Sequence, residues 1–189
     1  MHWIDSMSSH SEILISGDSM SRRVKELGVS ISKDLATSEL CVMPVMDGGM
    51  IFAADLVREI TLPLMILPVK ASSYGNSTTS SGRVSLPWGI PKGVAGKDVL
   101  LVDDILDTGG TLSHLKELLI LEGARTVLTC VLLRKESSRH LTVDFLGFDI
   151  PDRFVVGYGL DHAGLHRNLS DISVLNQEPK SLAQATFSH

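Results

Sequence analysis

The sequence predicts an α/β fold, with a mainly parallel sheet and helices packed against both of its faces. Several runs, LCVMPV (residues 40–45), VLLVD (99–103) and TVLTCVLL (126–133), are apolar throughout and offer no polar face, so both sides of each strand must be covered. Between these runs lie stretches with apolar residues at helical spacing, and strand–helix alternation is the pattern of βαβ units. In such sheets ligands bind outside the carboxyl ends of the strands, so the residues that follow each apolar run are where chemistry is expected.

Val24, Leu27, Ile31 and Leu35 form a helical stripe, with Asp18 or Ser19 available as its cap. LCVMPV is the first of the apolar strands. Its Pro44 cannot donate to a ladder and is expected among the strand's last residues. MIFAADLVREI (50–60) is a helix with Phe52, Leu56 and Ile60 inward, and LMILPV (64–69) is a short strand. ASSYGNSTTSSG (71–82) has the Ser, Thr and Gly content of a surface linker. After VLLVD, LSHLKELLILEG (112–123) is a helix burying Leu112, Leu115, Leu118 and Leu119, and Gly123 ends it. TVLTCVLL follows as a strand, and VDFLGF (143–148) and RFVVGY (153–158) complete the set. One domain is expected over 1–189, with the polar ends 1–10 and 175–189 mobile.

Bulk properties exclude several function classes. The chain has 189 residues, 43% of them hydrophobic, enough for one sizeable core. Its net charge is -5 and its 17 Lys and Arg form no run, so no nucleic-acid partner is expected. No apolar run approaches the ~20 residues of a membrane span. The start, MHWIDSMSSHSE, lacks the basic and apolar regions of a signal peptide. Cys41 and Cys130 both fall in apolar runs, and two buried thiols fit a reducing compartment. A cytoplasmic protein is expected, with no membrane partner.

The chemistry concentrates in VLLVDDILDTGGTL, residues 99–112. Thr108, Gly109, Gly110 and Thr111 turn into a helix. Glycines admit close backbone approach, a helix N-terminus favours an anion, and the threonines add hydroxyl donors. With no lysine in the turn, a terminal monophosphate suits it better than a triphosphate. Asp103 and Asp104 stand just ahead, where adjacent carboxylates can accept hydrogen bonds from vicinal sugar hydroxyls and share oxygens with Mg²⁺. Asp107 lies between the two groups, so a ribose 5-phosphate fits the segment. A phospho-receiver domain also opens on such an acidic pair, but about a hundred residues precede this one, and Asp144 downstream does not end a strand.

VLLVDDILDTGGTL resembles the phosphoribosyl pyrophosphate (PRPP) motif of the type I phosphoribosyltransferases. SSYGNSTTSSG, LLRK, VDFLGFDIPDRFVVGYGLD and HRNL are similar, in order and spacing, to the hypoxanthine-guanine members of that family. The resemblance covers about residues 12–174 and is most specific at GFDIPDRFVVGYGLD. It implies the type I phosphoribosyltransferase fold, with a small hood and a mobile loop, and a Mg²⁺-dependent purine-salvage reaction joining N9 of a 6-oxopurine, hypoxanthine or guanine or both, to PRPP with release of pyrophosphate. By this resemblance Asp103 and Asp104 hold the ribose hydroxyls, Asp107 is the acid/base group near purine N7, and Thr108 to Thr111 bind the 5′-phosphate. Ser73 and Tyr74 lie on the loop that closes over pyrophosphate, which gives the 71–82 segment a role beyond that of a linker. Lys135 donates to the purine 6-oxo group, Phe154 stacks on the base and Val155 reads its edge through the backbone. Asp103 and Asp104 also serve as metal ligands, Asp161 approaches a second Mg²⁺, and Arg167 contacts pyrophosphate. The family forms homodimers and homotetramers.

VMDGGMIF matches the family's pyrophosphate loop but departs from it. Asp47 precedes Gly48 and Gly49 where many members carry lysine, which puts a carboxylate on a loop that meets an anion. His162 and His166 are spaced i, i+4, but the intervening Gly164 and the missing acidic ligand argue against zinc. A rival reading is a regulator that keeps the fold, binds nucleotide or RNA and has lost catalysis. The joint presence of Asp107, Lys135, Phe154 and Asp161 argues against it.

Overall fold

The computed structural model describes residues 11–35, 39–73 and 84–175. In chain order the elements are β1 (Ser11–Ile15), α1 (Gly17–Leu35), β2 (Leu40–Met46), α2 (Gly49–Glu59), β3 (Leu64–Ile66), β4 (Val69–Lys70), β5 (Ser72–Ser73) and β6 (Val84–Ser85). Then follow β7 (Asp98–Leu106), α3 (Gly110–Leu121), β8 (Thr126–Lys135), a 3-10 turn at Glu136–Ser138, β9 (Phe145–Ile150), β10 (Val155–Val156) and β11 (Ile172–Leu175).

The central sheet is parallel throughout, in the order β3-β2-β7-β8-β9, with β4 also on β2. Side chains alternate across it with the period of two that strand geometry dictates. Val42, Leu100 and Val102 pack with α1 and α2 residues such as Met20, Ile31, Phe52 and Leu56. Their neighbours Cys41, Met43, Val99 and Leu101 pack on the opposite face with Leu112, Leu115 and Leu119 of α3. This two-sided burial is what the apolar runs predict, and both thiols lie within it. Among the described residues no helix is long and apolar enough to cross a membrane.

A second, antiparallel sheet, β1-β11-β10, is not in the sequence-based plan. RFVVGY does not extend the main sheet. Its strand shrinks to Val155 and Val156, which pair with Val174 and Ser173. Leu175, assigned above to a mobile end, instead donates its N–H to the Phe154 carbonyl at 3.0 Å. These strands join residues far apart in sequence, Ser11 opposite Leu175, and none is long enough to print a period. β5 and β6 pair antiparallel at either end of residues 74–83, which fall outside the described residues.

Several boundaries move for identifiable reasons. α1 starts at Gly17, and its cap is Ser16, whose Oγ accepts the Ser19 N–H at 3.4 Å; Asp18 and Ser19 lie in the first turn. Pro44 is followed by two more strand residues. The expected strand 64–69 is broken between β3 and β4, and Val42 offers its carbonyl to that side, where Leu67 N–H donates to it at 3.0 Å. Two residues on, Pro44 faces the same way, into the break, where no ladder donor is needed. α3 begins two residues before the predicted start and leaves Leu118 only half-buried, while Gly123 ends it at φ +85° as expected.

Candidate active site

β2, β7 and β8 lie side by side and parallel, so their carboxyl ends share one edge. From that edge project Asp47 to Gly49 after β2, the Asp103 to Thr111 segment at the end of β7, and Lys135 as the last residue of β8. Asp103 and Asp104 fall inside β7 rather than after it, because the strand runs on to Leu106. Adjacent strand positions face opposite ways, and the pair divides accordingly. Asp103 lines a cavity of about 260 Å³ with Asp107, Thr108, Gly109 and Thr111. Asp104 lines one of about 200 Å³ with Asp107, Lys135, Phe154, Val155 and Asp161. Asp107 borders both.

Burial raises the Asp103 carboxyl well above the usual carboxylate range, and the Asp104 charge raises it further. Burial also raises Asp104, opposed by its hydrogen bonds with Asp103 and Ile105 and by the Arg167 charge. Each carboxylate turns back on the strand. Asp103 Oδ1 accepts the Asp104 N–H at 3.0 Å, and Asp104 Oδ1 accepts the Ile105 N–H at 2.9 Å.

Two helix N-termini flank this pair. α3 starts from Gly109, held at φ +75°, and no side chain caps it. α2 starts from Gly48, again with no side-chain cap and no acidic residue in its first turn. First-turn N–H groups without side-chain acceptors, together with the helix dipole, make both ends anion seats. A Cβ at 48 would lie 1.9 Å from Asp104 Oδ2, so any larger residue there must displace that carboxylate. From the other side Gly159, at φ +103°, presses on the Gly48 carbonyl, so the loop is wedged against β7. The Met46–Asp47 peptide is cis.

Asp107 and Lys135 meet directly, with Lys135 Nζ 2.8 Å from Asp107 Oδ2. The Ser138 hydroxyl, from the 3-10 turn, donates to the Asp107 carbonyl. Phe154 is exposed at the cavity, and His162 sits edge-on to it, centroids 5.6 Å apart at 84°. Val155 beside it is buried in β10. Asp161 is ion-paired with Arg167 at 2.7 Å, and Arg167 also donates to the Gly159 carbonyl. Among the described residues no three His, Cys, Asp or Glu converge as a metal cluster, and Asp161 lines the same cavity as Asp104 and Asp107. Tyr74 and the Ser73 side chain lie outside the described residues.

The largest described cavity, about 730 Å³, is elsewhere, lined by Ser16, Asp18, Asp55, Arg58, Tyr158 and Asp171 among others. Two polar pairs close across it: Tyr158 donates to Asp55 at 2.7 Å, and Gly17 N–H to Asp171 at 2.8 Å. None of the sequence-predicted site residues line it. Sequence reasoning missed two contacts at the site itself. Asp47 is ion-paired with Lys70, 3.0 and 3.2 Å from Nζ to its two oxygens. Lys70 was hidden because β4 was folded into one long strand ending before it. His162 carries no sequence signal for its contact with the Phe154 ring; only its i, i+4 spacing to His166 marks it.

The profile of the phosphoribosyl transferase domain matches residues 11–163. The hypoxanthine-guanine phosphoribosyltransferase of Bacillus subtilis is 41% identical over 166 residues, 87% of this chain and 92% of the relative. The hypoxanthine phosphoribosyltransferase of Haemophilus influenzae is 40% identical over 168 residues, 86% and 94% of the two chains. A crystal structure of a hypoxanthine-guanine phosphoribosyltransferase from Bacillus anthracis superposes with a TM-score of 0.83 at 39% identity, over 89% of this chain and 100% of that one. With the site geometry and these matches in agreement, the chain belongs to the phosphoribosyl transferase domain family, among the hypoxanthine-guanine phosphoribosyltransferases.

Proposed function

We propose that the protein transfers the 5-phosphoribosyl group of PRPP to N9 of a 6-oxopurine, hypoxanthine or guanine, and releases pyrophosphate, as a step of purine salvage. The observation that carries this is the order of groups along one sheet edge. An uncapped helix N-terminus at Gly109, the carboxylates Asp103 and Asp104, and a second uncapped N-terminus at Gly48 stand in sequence. PRPP has a monophosphate at one end, a diphosphate at the other and vicinal hydroxyls between, so it matches that order group by group.

The Asp107–Lys135 pair supplies the base site. Lysine has donors only and meets the 6-oxo acceptor; the carboxylate accepts and meets N7–H. Oxygen O6 and nitrogen N7 are neighbours on one purine edge, as the two side chains are neighbours at 2.8 Å. Phe154 offers its face to the base and Val155 closes the buried side of the cavity. As N9 bonds to C1′, the bond from C1′ to the pyrophosphate oxygen breaks, and Asp107 takes the N7 proton. Arg167, close enough to Asp104 to influence its charge, faces the leaving pyrophosphate.

The residues present fit Mg²⁺. Asp103 and Asp104 offer only hard oxygen ligands, crowded and buried enough to resist ionising together. Two carboxylates without a protein cage suit an ion that keeps waters and substrate oxygens in its shell, with Asp161 at a second such position. That ion would offset the charge between the carboxylates and PRPP. The protein acts in the cytoplasm as a homodimer or homotetramer.

The test is base selectivity. Adenine presents a 6-amino donor to a lysine that has no acceptor, and sites built on one polar contact reject such analogues by as much as ~10⁴-fold. Adenine turnover within about tenfold of hypoxanthine contradicts the Lys135 assignment.

A further inference from the structure

The Asp47 carboxylate stands at the same helix N-terminus that seats the diphosphate of PRPP, a placement that is repulsive unless a cation answers it. Lys70 is that cation. It ends β4, whose parallel register sets it beside Met46, the residue before Asp47. Its ammonium lies 3.0 and 3.2 Å from the two Asp47 oxygens and 5.8 Å from the centroid of the Trp88 ring. The side chain keeps about a third of its exposure, 35%, so the ammonium is not sealed between these partners. It carries three N–H donors, and its contacts with Asp47 are two. Arg167 is already bound to Asp161 and the Gly159 carbonyl.

We propose that Lys70 is a ligand for the pyrophosphate end of PRPP and that Asp47 is its positioning residue. Before PRPP binds, Asp47 holds the ammonium on the loop; with PRPP bound, Lys70 donates to the diphosphate while still neutralising Asp47. An ammonium on a flexible four-carbon stem suits a contact that must form and release each turnover. The proposal rests on the assignment of Asp47, Gly48 and Gly49 to the pyrophosphate, and it adds a ligand from a different strand.

The test is steady-state kinetics at fixed Mg²⁺, with KM for PRPP, the inhibition constant of inorganic pyrophosphate, and KM for hypoxanthine as an internal reference. Losing one charge-assisted hydrogen bond should make Lys70→Met raise the first two by about tenfold and leave the third within about twofold. Lys70→Arg should recover most of the loss. Lys70→Met should still cost about fivefold or more when added to Asp47→Asn, because the contact to the diphosphate is lost whether or not residue 47 is charged. If the double variant handles PRPP and pyrophosphate like Asp47→Asn alone, Lys70 only screens Asp47 and the proposal is overturned. Gly48→Ala separates the two levels. Its new Cβ collides with Asp104, so it should weaken pyrophosphate strongly. If it does and Lys70→Met does not, the loop assignment stands and the Lys70 proposal falls. If neither variant moves pyrophosphate, both fall.

Discussion

Asp107→Asn separates catalysis from structure most cleanly, because asparagine keeps the shape and removes only charge and basicity. The structural cost can be bounded from the contact to Lys135 at 2.8 Å. At that separation two unit charges attract by about 1.5 kcal/mol in bulk water and about 6 at an effective dielectric of ~20. Asp107 is 56% exposed, so the water value is the closer one, and exposed pairs measured directly contribute about 0–1 kcal/mol. The loss of stability should therefore shift the melting temperature by no more than roughly 2–4 °C. A group that moves a proton in the transition state contributes about 10²- to 10⁴-fold, equivalent to about 3–5 kcal/mol. Activity should thus fall by several kcal/mol more than stability. The assay is initial-rate formation of nucleotide from hypoxanthine with Mg²⁺ and saturating PRPP, alongside a thermal melt. A drop in kcat of less than about threefold, or a melt shift as large as the kinetic loss, would refute the acid/base role and leave Asp107 as a partner that merely orients Lys135.

Phe154→Ala should raise KM for the base by roughly 10- to 100-fold with a smaller change in kcat, since stacking an aromatic ring on a base is worth about 1–3 kcal/mol; an unchanged KM removes Phe154 from the base site. Stability should fall on the alkaline side. Burial raises the Cys41 thiol from 9.0 to about 11 and raises Cys130 in the same direction. Folding therefore favours the protonated thiols, so this stability is complete below the unfolded thiol pKa and is lost as pH climbs from about 9 towards 11, at about 1.4 kcal/mol per pH unit for each thiol. Melting temperatures across that range, flatter for Cys41→Ala than for the parent, check it; parallel curves would show that the thiols are not the cause.

The main sheet was legible in the sequence because its strands are buried on both faces, and a run such as VLLVD needs no period to declare itself. The antiparallel sheet was not, since Val155 and Val156 make a strand of two residues whose partner lies past the hairpin-like loop at 157–165. Asp103 and Asp104 were found by their motif, but their place within β7 and their division between two cavities depend on the pleat and on how far the strand runs. Lys135 and Asp107 were each assigned to the purine, and nothing in their separation of 28 residues says that they touch. Asp47 drew notice as a departure from a pattern. Its partner Lys70 could be found only once β4 was seen to pair with β2, because a register, and not a spacing, brings the two together.

If the Gly109 turn, the β7 carboxylates and the Gly48 loop bind one Mg²⁺–PRPP and present its C1′ to a 6-oxopurine, nucleotide formation requires all three components at once. Chromatographic separation of products after mixing the purified protein with hypoxanthine, PRPP and Mg²⁺, with each component omitted in turn, measures this. IMP and pyrophosphate should form in equal amounts when all are present, and neither should form without PRPP or in excess EDTA. Nucleotide formation undiminished by EDTA, or no nucleotide from hypoxanthine, guanine or xanthine, would contradict it.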